Sequence, residues 1–173
     1  MWKSATMPYT RWSAPEALAD RGRSLGHRRG YRLHGRVRRR VRGACELSFR
    51  PITKDEALAI HSAVVARFGG IDGVRDEGLL ESALAQPFQS FAGIELYPTD
   101  EAKACRYAYG IIKDHPFADG NKRTATALMG TYLRLSGCEF KPSHAELLEA
   151  MLGTADGAWG FEPLVEWVQT AEG

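Results

Sequence analysis

A stretch of ten residues concentrates the side chains that could do chemistry in this protein: HPFADGNKRT, residues 115–124. His115 is the only group in it that is suited to removing a proton near neutral pH. Asp119 supplies a carboxylate, and a carboxylate beside a polyphosphate usually holds Mg²⁺, which binds oxygen ligands and keeps some of its water. A base and a carboxylate four residues apart suggest a reaction on a phosphorylated ligand.

The second half of the stretch has the composition of an anion-binding helix start. Gly120 lets a ligand approach the backbone, and Lys122 and Arg123 add cations beside the free amides and positive dipole end of a helix. The residues therefore predict a magnesium–nucleotide site with a histidine base, and phosphoryl or nucleotidyl transfer to a hydroxyl. The P-loop pattern GxxxxGK[ST] is absent from the sequence.

Each of these residues also has a simpler structural interpretation. His115 could pair with carbonyls at a helix end, Asp119 or Asn121 could cap a helix, and Lys122 and Arg123 could form a solvated helical turn. Taken singly, each simpler role is the commoner one. Their coincidence within ten residues favours a binding site.

Two apolar helices are predicted on either side of the stretch, so that it forms a short loop between them. The first is capped at Thr99 or Asp100, and Pro116 prevents its continuation. The second spans Asn121–Ser136, with Gly137 as its stop signal. Both helices are nearly apolar, which indicates that they are central to the domain.

Four further helices complete an all-α fold of about six helices. Capping boxes begin two of them, at Thr53 and at Ser143. Asp76 caps a short helix, and the last helix covers roughly residues 161–171. Residues 88–98 are aromatic and glycine-containing, which indicates an extended loop or a small β-hairpin.

The chain divides by charge into a basic tail and an acidic domain. Residues 1–50 hold 13 Lys and Arg against 3 Asp and Glu, whereas residues 51–173 hold 10 against 18. We expect residues 1–47 to be disordered, because Arg and Gly cannot bury enough apolar surface to offset ordering entropy. This tail would bind nucleic acid if it is translated. The favoured alternative is that the start codon is assigned too far upstream and that translation begins closer to the domain. Residues 48–173 form the domain in either case.

Several classes of protein do not fit the sequence. No apolar run approaches the roughly 20 residues of a membrane helix, and the N-terminus has no hydrophobic signal core. We therefore expect a cytoplasmic protein that has no membrane partner. Cys45, Cys105 and Cys138 lack metal-ligand spacing and are expected to be free thiols.

The ten-residue stretch resembles the signature of the Fic/Doc family, H-x-F-x-[D/E]-G-N-x-R-x-x-R. Thr126 stands where the signature ends in arginine, and Lys122 stands where AMP-transferring members carry a small glycine. The segment Arg67–Leu84, RFGGIDGVRDEGLLESAL, is similar to the Doc, or death-on-curing, branch. The resemblance covers roughly residues 51–170. The matching signature positions are His115, Phe117, Asp119, Gly120, Asn121 and Arg123.

The resemblance implies a compact Fic/Doc-type bundle and a toxin of a type II toxin–antitoxin pair. Members of the Doc branch transfer the terminal phosphate of ATP to a Ser/Thr hydroxyl, a threonine of elongation factor Tu, and so inhibit translation. The sequence contains no [S/T]-x-x-x-E-[G/N] inhibitory helix, so control is expected from a separate antitoxin protein. AMP transfer and a Fic-fold binding module without turnover remain the alternatives.

Carried over residue by residue, the resemblance implies a general base at His115 and a Mg²⁺ ligand at Asp119, with ATP as the nucleotide. The residues that it implies for phosphate binding are Gly120, Asn121, Lys122 and Arg123, with Lys113 as an accessory candidate.

The start-site hypothesis predicts the mass of the protein in its native cell. If translation begins near Val37 or Val41, intact-mass spectrometry will show a protein well below the 19.1 kDa of the full chain. A mass that corresponds to all 173 residues would remove the hypothesis. A full-length protein should then bind nucleic acid with steep salt dependence, and should lose that binding when residues 1–46 are deleted.

Overall fold

The structure is a computed structural model, and it describes residues 50–171. The predictions of a disordered basic tail at residues 1–47, of its nucleic-acid binding and of a domain boundary at residue 48 lie outside these residues. The predicted free thiol of Cys45 lies outside them as well.

Six α-helices and one short hairpin make up the described domain, which confirms the predicted all-α fold. A 3-10 turn at Gln86–Phe88, which contains Pro87, ends the second helix as predicted. In chain order the elements are α1 (Lys54–Phe68), α2 (Glu77–Ala85), β1 (Ser90–Phe91), β2 (Ile94–Glu95), α3 (Asp100–Asp114), α4 (Asn121–Leu135), α5 (His144–Asp156) and α6 (Phe161–Thr170).

Side-chain caps begin four of the helices, at the residues that the sequence predicts. Thr53 and Ser143 each form a capping box with the glutamate three residues on. Asp76 and Thr99 each accept a hydrogen bond from an amide of the first turn of their helix. These caps satisfy amides that a helix start leaves without a partner, so local sequence alone defines where these helices begin.

The predicted hairpin is present within residues 88–98. Its two strands pair antiparallel across Ala92 and Gly93, which both have positive φ, as a tight two-residue hairpin turn requires. The buried Lys103 of α3 places its Nζ 3.1 Å from the carboxylate of Glu95, so an ion pair holds the hairpin against the helix.

Helix α3 lies at the centre of the domain, as predicted, and packs against α2, α4, α5 and α6. Its Tyr107 and Ile111 are fully buried, as are Leu128 and Tyr132 of α4. The Tyr107 hydroxyl accepts a hydrogen bond of 3.0 Å from the amide of Ile52, which ties the start of the domain to α3. The α3–α4 pair therefore forms the rigid base that carries the loop between them.

One position of the predicted apolar face of α1 is exposed. Helical spacing in the sequence predicts this face from six residues: Ala57, Ile60, His61, Val64, Val65 and Phe68. The side chain of Phe68 is 54% exposed. Phe68 is the last residue of α1, and Gly69 follows it with a φ of 78°. Periodicity does not register the end of a helix within its last turn.

The described residues contain neither a candidate membrane span nor a preformed metal cluster. No helix in residues 50–171 is both long enough and apolar enough to cross a membrane. The same residues contain no group of three or more His, Cys, Asp or Glu side chains that could hold a metal ion. Cys105 is a buried free thiol, and Cys138 is a half-buried thiol whose Sγ donates to the Glu101 carboxylate at 3.7 Å.

The ion pair at the start of α1 makes the stability of the domain depend on pH. The Arg50 guanidinium bonds to the Glu56 carboxylate and lowers the pKa of Glu56 from its ordinary 4.5 to about 2. A lowered pKa stabilises the fold above the ordinary value, and this contribution is lost as the pH falls towards 2. Glu56→Gln should therefore lower the free energy of unfolding at pH 7 by about 1 kcal/mol or less.

The difference between wild type and Glu56→Gln should shrink in urea titrations between pH 5 and pH 2. Glutamine keeps the hydrogen bond of the capping box, so the change isolates the charge. Glu149→Gln, on the exposed surface of α5, is the matched control. The same pH profile in both variants would contradict the assignment to the Arg50–Glu56 pair.

Candidate functional site

The loop between α3 and α4 begins at a residue with an unusual backbone conformation. His115 ends α3 in the left-handed region, with a φ of 50° and a ψ of 54°. Residues that have a Cβ adopt this region rarely, and such strain is concentrated at functional sites. The following Pro116 is buried and cannot donate a helical hydrogen bond. Helix α3 therefore stops, and the His115 side chain is exposed at its end.

The ring of Phe117 anchors the loop in the core, as expected for the one aromatic residue of the stretch other than His115. It is 1% exposed and stacks on the ring of His61, with the ring centroids 4.0 Å apart. Asn121 closes the loop over it: its Oδ1 accepts from the Phe117 amide and its Nδ2 donates to the Phe117 carbonyl, both at 2.9 Å. The side chain of Asn121 therefore shapes the loop, and its backbone amide is what lies at the helix start.

Residues 71–76, which connect α1 to α2, form one wall of the site, the upstream wall. The amides of Arg75 and Asp76 both donate to the Pro116 carbonyl, at 2.7 and 3.1 Å. The Ala118 amide donates to the Gly73 carbonyl at 3.0 Å. These backbone bonds hold the loop from outside the α3–α4 pair. Sequence periodicity carries no signal for pairing between two irregular segments.

Helix α4 begins without a capping side chain. Gly120 occupies the cap position with a φ of 69°, and no side chain within residues 50–171 caps the amides that follow. The Asp119 carboxylate accepts from the Gly120 amide at the edge of this helix start. Lys122 is exposed in the first turn. The arrangement leaves a helix N-terminus, with its partial positive charge, open to an anionic ligand.

The predicted acidic and basic residues of the site are neighbours of each other. Arg123 donates from Nη1 to the Gly69 carbonyl at 2.7 Å, and its Nη2 lies 3.8 Å from the Asp119 carboxylate. The Gly69–Gly70 turn therefore closes the site on the side of α1. In the sequence, these two glycines indicate a helix stop and belong to the segment Arg67–Leu84 that resembles the Doc branch. Neither feature indicates that the turn lies beside Asp119.

Gly70 is part of the site because it leaves room for Asp119. A Cβ on Gly70 would lie 2.6 Å from Oδ2 of Asp119 and 3.3 Å from the Arg123 guanidinium. No ordinary side chain fits in that space. The close approach requires glycine at residue 70 as long as the Asp119 carboxylate keeps its position.

His61 is a second histidine that the sequence interpretation placed only in the core. It is 1% exposed, as that interpretation expects. Its Nδ1 is, however, 3.0 Å from the Thr124 hydroxyl, and the Gly73 amide donates to its Nε2 at 3.4 Å. Apolar periodicity counts such a residue as a core position and does not report its hydrogen bonds.

Lys113 stands apart from the other predicted site residues. It is exposed in the last turn of α3, and its Nζ lies 5.6 Å from the centroid of the Tyr109 ring. No contact within the described part of the chain joins it to the loop.

The donor set of the site fits a magnesium ion that is shared with a ligand. Asp119 is half exposed, with a side-chain exposure of 47%, and no group of three ligating side chains exists in residues 50–171. Mg²⁺ is commonly held by one or two carboxylates together with phosphate oxygens and water. One accessible carboxylate beside an open helix start fits this shared coordination. It does not fit a site in which protein ligands alone hold the ion.

Comparison with known proteins identifies related sequences. Residues 51–133 match the model of the Fic/DOC family. Toxin Doc of Mycolicibacterium smegmatis is 38% identical over 93 residues, which cover 51% of this chain and 72% of that protein. Protein kinase doc of Escherichia phage P1 is 32% identical over 108 residues, which cover 62% of this chain and 84% of that protein. The matched residues include the loop between α3 and α4, the Gly69–Gly70 turn and the upstream wall.

The contact between Gly70 and Asp119 can be tested with a glycine pair. Gly70 and Gly73 have nearly equal φ values of 130° and 134°, but a Cβ on Gly73 would meet nothing within 4 Å. Alanine at either position should cost about 1–3 kcal/mol of backbone strain. Gly70→Ala should cost up to about 1 kcal/mol in addition, because the new methyl group displaces the half-exposed Asp119 carboxylate from its contact with Arg123. Equal decreases in the free energy of unfolding for the two variants would show that the contact between Gly70 and Asp119 does not affect stability.

Proposed function

The chain belongs to the Fic/DOC family, and on that premise we propose that it is the toxin of a type II toxin–antitoxin pair. Its activity in this proposal is transfer of the terminal phosphate of ATP to a serine or threonine hydroxyl of a protein. The names of the two relatives, one a toxin and one a protein kinase, support this proposal. The observation that carries it is the exposed His115 at the end of α3, beside the uncapped start of α4.

The proposed reaction uses His115 as the general base. His115 takes the proton of the acceptor hydroxyl while the hydroxyl oxygen attacks the terminal phosphorus of ATP. The new bond joins that oxygen to phosphorus, the bond from phosphorus to the β-phosphate oxygen breaks, and ADP leaves. The exposed position of His115 supports this role, because a protein acceptor can reach its imidazole from solvent.

The phosphates of ATP would lie at the start of α4. The backbone at Gly120 and Lys122 and the side chains of Lys122 and Arg123 offer donors and positive charge there. Asp119 would hold magnesium against these phosphates, and the bound ion would offset their negative charge. Arg123 would exchange its contacts with Gly69 and Asp119 for a phosphate when the nucleotide binds. Asn121 contributes by holding the loop closed around Phe117.

Two residues favour phosphate transfer over AMP transfer. Lys122 adds bulk and charge where AMP-transferring members have glycine. Thr126 replaces the last arginine of the signature and donates its hydroxyl hydrogen bond to the Lys122 carbonyl at 2.9 Å. A hydroxyl used within the helix offers no bidentate clamp for a phosphate. AMP transfer to a protein hydroxyl is therefore the second candidate.

The acceptor and the partner follow from the family in this proposal. A threonine of elongation factor Tu is the proposed acceptor, and its modification would inhibit translation in the cytoplasm. A separate antitoxin protein would control the activity, because the sequence lacks the inhibitory helix of self-restrained members. Lys113, exposed at the end of α3, remains an accessory candidate for contact with the nucleotide or the acceptor.

Labelled ATP separates the candidate activities. With purified elongation factor Tu or total lysate as acceptor, label should transfer from the γ position and not from the α position. His115→Ala should reduce the rate by about 10²–10⁴-fold, the range of a lost general base. His144→Ala, on the exposed first turn of α5, should leave the rate unchanged.

The other outcomes each select a different function. Transfer of the α label alone would assign AMP transfer. Growth arrest by the toxin that persists in His115→Ala cells would mean that catalysis is not the cause, and would support a Fic-fold binding module without turnover.

A further inference from the structure

We propose that His61 is a positioning residue. From the core side, it holds the loop between α3 and α4 in the conformation that the site requires. The inference concerns how the site is held together, and its consequence for ATP rests on the proposed function. In this view His61 touches neither nucleotide nor acceptor. It acts through Phe117, Thr124 and Gly73, which belong to the loop, to α4 and to the upstream wall of the site.

The first link is the stack between His61 and Phe117. The two rings are nearly parallel, with an interplanar angle of 13° and centroids 4.0 Å apart. Both side chains are about 1% exposed. Phe117 lies two residues after His115 and two before Asp119, so its position sets the direction of both chemical groups. A shift of the imidazole ring would move the phenylalanine and the loop above it.

The second link joins His61 to the first turns of α4. Its Nδ1 lies 3.0 Å from the hydroxyl of Thr124, which is itself fully buried. The amide of Gly73 donates to Nε2 at 3.4 Å, and in the tautomer that accepts this bond Nδ1–H donates to Thr124. One neutral ring thus satisfies a donor on the upstream wall and an acceptor on α4. A purely apolar core residue of the same size would satisfy neither.

The charges around His61 are compatible with a neutral ring. Burial lowers the pKa of His61 and outweighs the opposing effect of Asp72 and Asp119, while Arg123 lowers it further. The Asp72 carboxylate, 3.4 Å from Nε2, is half exposed and accepts a hydrogen bond from Ser62 at 2.8 Å. That hydroxyl and solvent satisfy the carboxylate oxygens, so the carboxylate does not need a proton on Nε2 as its partner. The geometry does not require a charged imidazole beneath the loop.

The contacts with Phe117, Thr124 and Gly73 are all made by one side chain, which explains why a core position carries a histidine. Burial of a polar ring is unfavourable unless its nitrogens are hydrogen-bonded, and both nitrogens of His61 have partners. Small displacements of catalytic groups, on the order of 1 Å, can reduce a rate by about 10²-fold. The loss of the ring's hydrogen bonds should therefore affect the loop more than the overall stability.

The experiment uses the full chain and five variants. His61→Phe keeps a stacking ring and removes both hydrogen bonds. Thr124→Val removes the hydroxyl at the same size, and the double variant combines the two changes. His61→Asn places an amide nitrogen near the position of Nδ1 and can donate to Thr124. Val168→Ala, in the buried face of α6, is the control for a loss of core packing.

Two measurements are made on each variant. The first is hydrogen–deuterium exchange of the amides in residues 117–123, which needs no ligand. The second is the dissociation constant for Mg·ATP. Thr124→Val should raise the exchange rates and the dissociation constant about ten-fold, the effect expected for one buried hydrogen bond, and His61→Phe should raise them at least as much. The double variant should be no worse than His61→Phe alone, because both changes remove the bond between His61 and Thr124.

A variant that separates the hydrogen bond from the stack and a packing control complete the test. His61→Asn keeps a donor for Thr124 but loses the ring that stacks on Phe117, so exchange in the loop should remain above the wild-type rate. Val168→Ala should lower the urea midpoint without changing exchange in the loop. Wild-type exchange in His61→Phe would overturn the proposal and leave His61 as a core residue. If the wild-type protein does not bind Mg·ATP, the proposed function fails, and the exchange measurement still decides the role of His61.

Discussion

The burial of the Phe117 ring beneath a polar loop is the interaction on which the rest of the site depends. The loop has to cross between two buried helices while it keeps His115, Asp119 and Lys122 accessible. It does so by inserting one aromatic side chain into the core and closing the backbone over it with the Asn121 amide. The left-handed conformation of His115 and the glycine cap of α4 are the two backbone features that let so short a loop reverse direction.

The charged groups of the site partly neutralise one another in the structure. Arg123 contacts both the Gly69 carbonyl and, at 3.8 Å, the Asp119 carboxylate. In the proposed function, a nucleotide with magnesium would offer each of them a more strongly charged partner, because phosphate binds arginine bidentately and a divalent cation binds a carboxylate. The Gly69–Gly70 turn lies against both groups: the Gly69 carbonyl accepts from Arg123, and a Cβ on Gly70 would lie 2.6 Å from Oδ2 of Asp119.

Much of the fold is local and could therefore be predicted. Thr53, Asp76, Thr99 and Ser143 begin their helices in the structure as the sequence indicates, since a cap needs only the next three residues. The end of α1 shows the limit of this reasoning. Helical spacing placed Phe68 in the core, whereas the chain leaves the helix there and exposes the ring.

The sequence by itself determined which chemical groups stand together in the loop, because all of them lie within ten consecutive residues between two predicted helices. Only the tertiary structure decided what surrounds them. Gly70 lies against Asp119, the Gly73 backbone pairs with the loop, and His61 lies beneath Phe117, although each is more than 40 residues away along the chain. Contacts of this kind depend on how helices pack, and neither hydrophobic periodicity nor local propensity records which surfaces meet.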